Sequence, residues 1–394
     1  MDMLFIISIL LVSCVVMLVI VYEKDLTIID LYSGAGGLSL GASRAGFNVS
    51  CAIDSDIRAI GTHSFNFPNT KHLQMDLTEV TGKDILLQAG LKSGQIYGIV
   101  GGPPCQGFSI IGRRKLDDSR NSLFIRFFEI VNEIKPKFFL AENVLGILNE
   151  KYTQIREEAF SKLSGYTVLP PIKVKASDCG APTTRTRVFF VGVYKDNFKI
   201  SKEYIEKYIT DDIVYVKDAL LGLPQNITCE FNKHGQGYVS PDYFSKQTSF
   251  FHRQMQSNIP KSLGNESAVN QYRKDKIVTG CLPTIHSAAV TERYRALKHG
   301  QMDVISKSVK LNPNGFCPTL RAGTGPEKGS FQAVRPIHYA LPRVITPREA
   351  ARLQGFPDWF VFHSTIWHSF RQIGNSVSPI VAEKILSAIR QKLT

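Results

Sequence analysis

Of the 394 residues only seven are cysteine, and no two of them stand as a C-x-x-C pair. The common zinc-site spacings are therefore absent, and no metal site is expected. Cys14, Cys51, Cys105, Cys179, Cys229, Cys281 and Cys317 are scattered and odd in number. That excludes a disulfide scaffold and argues for a reducing compartment. Acidic residues are also short: 34 Asp and Glu stand against 47 Lys and Arg, a net charge of +13. The imbalance favours a polyanionic partner, nucleic acid first and an anionic membrane surface second. Internal repeats and low-complexity tracts are missing, which sets aside repeat arrays.

Charge is missing altogether from Met3–Tyr22, "MLFIISILLVSCVVMLVIVY", a run of twenty residues. As a helix it would be roughly 30 Å long, enough to cross a bilayer. No basic stretch precedes it and no A-x-A site follows, so a cleaved signal peptide is a poor fit. Taken alone it reads as a transmembrane helix. Only "EKD" separates it from the first core strand, about 10 Å of chain, which would crowd the protein against a bilayer. Residues 1–24 are expected to be a hydrophobic segment apart from the fold, either a membrane tether or a dispensable extension. A functional chain is expected to begin near Val21.

What is present reads as an α/β protein. Hydrophobic residues make up 43% of the chain, enough for a sizeable core in one large or two smaller domains. "LTIID" from Leu26, "NVSCAID" (Asn48–Asp54), "YGIVGG", "KFFLAENV" and "RVFFVGVY" (Arg187–Tyr194) are apolar, β-branched or aromatic runs that predict strands. "NSLFIRFFEIVNEI" (Asn121–Ile134) carries apolar residues at helical spacing. Alternating strands and helices predict a mostly parallel sheet. After about Leu221 the periodicity fades into a loop-rich region that lasts to about Arg335. Regular pattern returns at "TPREAARLQGFPD", with Thr346 and Glu349 spaced as a capping box, Pro347 at the first helical position and Gly355 at the end. "SPIVAEKILSAIRQKL" predicts a closing amphipathic helix.

Four stretches carry chemistry. "DLYSGAGGLSLG" (Asp30–Gly41) is a glycine turn between strand and helix, where a ligand can approach the backbone. It fails the dinucleotide fingerprint because Ser39 stands where the third glycine belongs. A nucleoside ligand without pyrophosphate fits better, with Asp54 at the end of the next strand able to hold ribose hydroxyls. In "GGPPCQGFS" (Gly101–Ser109), two prolines fix the chain before Cys105 and Gly107 frees it afterwards, as a thiolate nucleophile would need. "ENV" puts Glu142 near a strand's C-terminal end, where ligands bind and partial burial would raise a carboxyl pKa. In "TTRTRVFF", Arg185 and Arg187 alternate toward one face, where an anion or a polarised carbonyl would sit.

Taken in order, "DLYSGAGG", "GGPPCQGFS", "AENV", "RTRVFFVG", "RLQGFPD" and "RQIGNSVSP" resemble the DNA cytosine-5 methyltransferase family. The resemblance covers nearly everything from Leu26 onward except the loop-rich region. It implies a Rossmann-like S-adenosylmethionine-dependent methyltransferase fold with a mostly parallel sheet, plus a smaller loop-rich target-recognition domain. Residues 25–220 would be the catalytic domain, 221–335 the target-recognition domain, and 336–394 a segment returning to the catalytic domain. Cys105 would add to C6 of a flipped-out cytosine, and Glu142 would meet N3. Arg185, the first arginine of its pair, would contact the base, with Arg187 completing the set. For S-adenosylmethionine, the resemblance implies Tyr32, Gly34, Gly36 and Gly37 in the first loop, Asp54 at the ribose and Asp76 at the adenine amino group. Pro104 and Leu123 would line the pocket, and Asn375 and Val377 would close it. The segment after Cys105, with Arg113, Arg114 and Arg120, would be a lid that meets phosphates or solvent.

Beside Tyr32, two departures from the family matter. Thr183 stands where Gln commonly precedes the arginine pair, and Ser55 stands where an aromatic commonly follows the ribose acid. Tyr32 replaces the usual Phe. Candidate base readers are Arg293, Arg295 and Arg321. The implied partners are double-stranded DNA and, functionally, a cognate restriction endonuclease, for a monomer working in the cytoplasm. The alternatives are a tRNA cytosine-5 methyltransferase and a non-catalytic, cofactor-binding DNA-recognition protein.

Overall fold

The structure is a computed structural model that describes residues 26–104, 121–223, 230–231, 237–239, 249–256, 259–322 and 333–393. Met3–Tyr22 and Cys105 both lie outside the described residues. Among the described residues no helix is long and apolar enough to cross a membrane.

Eight strands form one sheet: β1 (Thr27–Leu31), β2 (Asn48–Asp54), β3 (Lys71–Gln74), β4 (Gly98–Gly101), β5 (Phe138–Val144), β6 (Tyr166–Val168), β7 (Ile172–Lys175) and β8 (Thr186–Tyr194). Their order is β3-β2-β1-β4-β5-β8-β6, with β7 also on β8. The first five strands are parallel, and β8 runs antiparallel to β5. β6 and β7 share the outer edge of β8, pairing with its C-terminal and N-terminal ends. Order reverses at β1, whose neighbours are β2 and β4, so a crevice opens beyond the C-terminal ends of β1 and β4.

Thirteen helices are described: α1 (Gly37–Arg44), α2 (Ile57–Asn66), α3 (Gly82–Ala89), α4 (Asn121–Ile134), α5 (Thr153–Ser161), α6 (Lys202–Tyr208), α7 (Val216–Leu220), α8 (Phe250–Gln256), α9 (Glu266–Asp275), α10 (Ala288–Ala296), α11 (Pro347–Gln354), α12 (Ile366–Asn375) and α13 (Pro379–Leu393). Side chains alternate across β1, so Ile28 enters one core while Ile29 and Leu31 enter the other. α3, α4 and α5 cover the second face. Phe124, Phe127, Phe128 and Val131 are fully buried at i, i+3, i+4 and i+7 along α4. Each contributes about 2 kcal/mol or more through burial, and Phe128 meets Phe139 of β5 edge-to-face at 5.4 Å. α1, α6 and α13 cover the first face.

That first-face core continues into the rest of the chain. Phe251, Met255, Tyr272, Val278 and Cys281 pack in it with Trp359 and Phe360. Tyr294, Ile337 and Val344 form a small core of their own. α11 starts as its sequence predicts. Thr346 and Glu349 make the reciprocal capping box, Pro347 occupies the first turn, and Gly355 ends the helix at φ 94. All eight residues of α11 are buried, including two arginines. Arg348 donates to the carbonyls of Thr279, Pro357 and Phe360. Arg352 forms a fork with Asp358 at 2.7–2.8 Å and donates to the carbonyls of Ala219 and Leu221. The "RLQGFPD" motif thus ties the end of α7 to the C-terminal segment.

Candidate active site

The site is assembled from strand ends. After β1 the chain turns through Tyr32 (φ 58), Gly34 (φ 55) and Gly36 (φ 101) before entering α1. A tyrosine in the left-handed region costs about 1 kcal/mol or more. Its hydroxyl offsets part of that by donating to the Leu123 carbonyl at 3.0 Å, which pins the turn to the first turn of α4. Burial pushes the phenol pKa up. The three glycines differ in what they face. A Cβ on Gly36 would lie 2.4 Å from the Phe67 ring, and one on Gly37 would lie 2.3 Å from the Val377 carbonyl oxygen. Close packing demands glycine at both. Gly34 faces open space, with nothing within 4 Å of where its Cβ would stand.

Asp54 ends β2 and closes the turn from the other side. Its Oδ2 accepts the Gly34 N–H and its Oδ1 the Asp56 N–H, both at 2.9 Å. Burial pushes its carboxyl pKa up against these backbone hydrogen bonds, which pull it down. A carboxylate has about four acceptor positions, so capacity remains for a further donor. Asp76 is exposed just beyond β3. Its Oδ1 accepts from the backbone and hydroxyl of Thr78 at 2.9 and 2.8 Å. Pro104 and Leu123 are half-buried. Asn375 is exposed and Val377 buried, where the chain leaves α12 and crosses Gly37.

On the β4–β5 side, Glu142 is 9% exposed and Nε of Arg187 lies 2.8 Å from its Oε1. Oε1 has no hydrogen-bond partner of normal geometry among the described residues. Oε2 sits over Gly102, 3.3 Å from where a Cβ would be. Asn143 Nδ2 donates to the Pro103 carbonyl at 3.4 Å, which anchors the segment that leads to Cys105. Asn143 was given no role from sequence. The signal in the sequence is an amide inside the apolar run "KFFLAENV", and the strand buries it at 1% exposed. The position of Cys105 lies outside the described residues, as do those of Arg113, Arg114 and Arg120.

One expectation changes. Arg187 pairs with Glu142, and the contacts described for Arg185 lie elsewhere. Arg185 is 4% exposed and donates to the carbonyls of Leu320, Gly374 and Asn375 at 3.3, 2.9 and 3.4 Å. Arg185 precedes β8 and Arg187 lies within it, so strict strand alternation does not govern the pair. Thr183 is also buried, and its Oγ1 accepts the Arg185 N–H at 3.3 Å. It supports the arginine's backbone. Of the candidate base readers, Arg293 is committed to Asp303 at 2.6 Å and Arg295 pairs with Glu292.

A glycine cradle open at Gly34, with acids at two neighbouring strand ends, fits the adenosyl cofactor that the resemblance implies. Tyr32, Asp54, Asp76 and Leu123 stand around that opening. Among the described residues no group of three or more His, Cys, Asp or Glu could hold a metal ion. The four described cysteines, Cys51, Cys179, Cys281 and Cys317, are buried free thiols.

Known proteins are similar to this chain in sequence and fold. The chain is 38% identical over 374 residues to the type II methyltransferase M.XorII of Xanthomonas oryzae pv. oryzae, covering 92% of this chain and 85% of the relative. It is 32% identical over 404 residues to M.DdeI of Desulfomicrobium norvegicum, covering 92% and 88%. A crystal structure provisionally described as a DNA modification methyltransferase encoded within an E. coli prophage matches at 49% identity. Its TM-score is 0.82, over 93% of this chain and 99% of that one. The S. pombe Dnmt2 methyltransferase shares the fold at 18% identity and a TM-score of 0.59, over 94% of this chain and 99% of that one. The model of one family, C-5 cytosine-specific DNA methylase, matches residues 26–391. A glycine turn on β1, a Glu–Arg pair on β5 and β8 and a C-terminal segment folded back over the turn are thus features of a chain that belongs to the C-5 cytosine-specific DNA methylase family.

Proposed function

We propose that this DNA cytosine-5 methyltransferase acts on a cytosine flipped out of a specific duplex sequence, and that Glu142 and Arg187 form the wall of its base pocket. The observation that carries the reading is the 2.8 Å Glu142–Arg187 pair, whose Oε1 has no hydrogen-bond partner among the described residues, beside the Pro103–Asn143 link that leads to Cys105. A buried carboxylate oxygen held by a cation but not hydrogen-bonded has capacity for a base edge.

Cytosine C5 is a weak nucleophile, so the ring must first be activated. The Cys105 thiolate adds to C6, and the ring electrons shift toward N3 and C5. Glu142 delivers a proton at N3, where charge would otherwise accumulate, and Arg187 holds Glu142 and the pyrimidine edge in place. Asn143 positions the prolines that aim Cys105. Arg185 is a positioning residue, joining the start of β8 to the C-terminal segment. Once C5 carries the methyl group, its proton leaves to a water acting as base, the C6–S bond breaks to release the Cys105 thiolate, and N3 returns its proton to Glu142, which restores the aromatic ring. S-adenosylmethionine, when bound, supplies the electrophilic methyl group. Gly34, Gly36 and Gly37 would cradle it, with Asp54 at the ribose, Asp76 at the adenine amino group and Tyr32 against the ring. Pro104 and Leu123 would line one side, and Asn375 and Val377 the other.

Residues 25–220 with 336–394 are proposed as the catalytic part and 221–335 as the target-recognition part. With Arg293 held by Asp303, Arg321 is the better base reader of the arginines considered. The net charge of +13 suits a DNA partner. We take the protein to act as a monomer, in the cytoplasm with DNA, and to be paired functionally with a cognate restriction endonuclease. Base-resolution mapping of 5-methylcytosine in a host lacking that mark tests the reading. Methylation confined to one short sequence, and absent with Cys105→Ala, is expected. Absence of the mark with soluble wild-type protein would overturn it.

A further inference from the structure

A string of four side chains runs under the glycine turn, outside the groups used above. Asp30, fully buried in β1, has Oδ2 at 2.6 Å from the Ser39 hydroxyl in the first turn of α1. Ser39 Oγ lies 2.9 Å from Nε2 of His63 in α2. His63 Nδ1 lies 2.8 Å from Nε2 of His72 in β3. Asp30, Ser39 and His63 are fully buried, while His72 is half-buried. The Asp30–Ser39 bond closes a loop of chain containing Tyr32–Gly37, like a clasp. The His63 ring supports that loop from below. Its Cδ2 lies 3.2 Å from where a Gly36 Cβ would stand, and the ring lies against Phe67, tilted by 31° with centroids 4.2 Å apart.

We propose that His63 is a positioning residue for cofactor binding: through Ser39 and Asp30 it fixes the glycine turn, and the four-residue string carries one exchangeable proton that tunes that hold. The proposal rests on the reading that this turn binds S-adenosylmethionine.

The hydrogen bonds allow two directions. With Asp30 ionised, His72 donates to His63, His63 to Ser39 and Ser39 to Asp30. With one proton added at His72 Nδ1, every bond reverses and Asp30 Oδ2 becomes the donor. Protons balance: one enters from solvent at His72 and one arrives at Asp30. Burial pushes the His72 imidazole pKa down, and a backbone hydrogen bond at Thr70 opposes this in part. Burial and the His72 ring hold His63 well below the usual imidazole range, so it relays the proton and does not keep it. Burial pushes the Asp30 carboxyl up to about 7, against the Ser39 hydrogen bond and with help from Asp54. The other titratable groups facing the string are Cys51 of β2 and Lys71 beside it. β4, on the far side of β1, presents only Gly98–Gly101. Asp30 Oδ1 has no hydrogen-bond partner among the described residues, so the carboxylate depends on Ser39. A hydrogen bond to an ionised carboxylate is roughly twice as strong as a neutral one. The clasp is therefore tighter in the ionised form, which also attracts a sulfonium cation.

The test is calorimetric titration of S-adenosylmethionine into the full chain without DNA, from about pH 6 to about pH 8, a range that spans the imidazole transition. Wild type is expected to bind more tightly at the higher pH. His63→Phe keeps the ring and loses both hydrogen bonds; it is expected to bind about tenfold more weakly. His63→Gln can donate and accept but cannot relay by tautomer exchange. It is expected to recover most of the affinity with a flat pH profile. If His63→Phe fails to fold, Ser39→Ala is read in its place. Wild-type affinity and pH profile in His63→Phe would overturn the proposal alone. No binding by wild type would overturn it together with the cofactor reading beneath it.

Discussion

Arg187 and Arg185 stand two residues apart, yet their environments assign them different work. Arg187 faces the Glu142 carboxylate at 2.8 Å, with about a fifth of its side chain exposed at 18%. Arg185 is spent on backbone carbonyls of the C-terminal segment. Arg187→Ala should leave the fold intact and lower kcat about 100-fold or more, the scale seen when one charge-stabilising donor is removed. Single-turnover methylation with folding checked by circular dichroism measures it. Arg185→Ala should act mainly through stability. It orphans buried carbonyls at about 1–3 kcal/mol each, which thermal unfolding would register as a midpoint lowered by several degrees. Equal activity losses with unchanged stability in both variants would contradict this division. The acid was legible in sequence because a lone carboxylate ends an apolar strand. The choice between the arginines was not. Alternation placed both on one face, whereas β8 begins at Thr186 and the chain before it follows a bridge from Thr183 to Cys317.

At the scale of elements, the strands β1, β2, β4, β5 and β8 and the helices α4 and α13 follow from their runs of apolar residues, and α11 follows from its capping box, Pro347 and Gly355. β3, "KHLQ", and β6, "YTV", did not stand out. They are short and mostly uncovered, so pairing with β2 and β8 defines them more than composition does. The buried arginines of α11 were equally hidden. Position in a helix does not reveal that all of its faces are enclosed. Their energetics are testable. Asp358 is 1% exposed and Arg352 fully buried, so Asp358→Ala strands a cation in the core. Breaking a buried pair from one side costs about 3–5 kcal/mol. Urea unfolding should show that loss, with the unfolding midpoint falling and the slope unchanged. Gly37→Ala tests the crossing of the C-terminal segment over α1. The added Cβ meets the Val377 backbone oxygen at 2.3 Å, and backbone cannot swing aside as a side chain can. A loss of both stability and S-adenosylmethionine affinity is expected, and unchanged binding would show that Val377 does not close the pocket.

Across the whole molecule, the proton held on the Asp30 string should appear in global stability. The folded Asp30 carboxyl is pushed up to about 7 by burial, offset in part by Ser39 and raised further by Asp54. In the unfolded chain an aspartate titrates near about 3.9. Below about pH 4 both states carry the proton and Asp30 imposes no cost. Between about pH 4 and about 7 the folded state alone keeps it, so stability falls as pH rises, by at most about 1.4 kcal/mol per pH unit. Above about 7 both states are ionised and the cost levels off. Asp30→Asn is uncharged throughout, so its unfolding free energy should lack this slope, whatever its absolute value. Urea unfolding of the full chain and of Asp30→Asn at several pH values gives the difference directly. A difference that widens steadily from pH 4 to 7 and then flattens is the expected curve. Parallel curves would mean that Asp30 stays ionised in the fold, with the Ser39 hydroxyl and backbone N–H outweighing the cost of its burial.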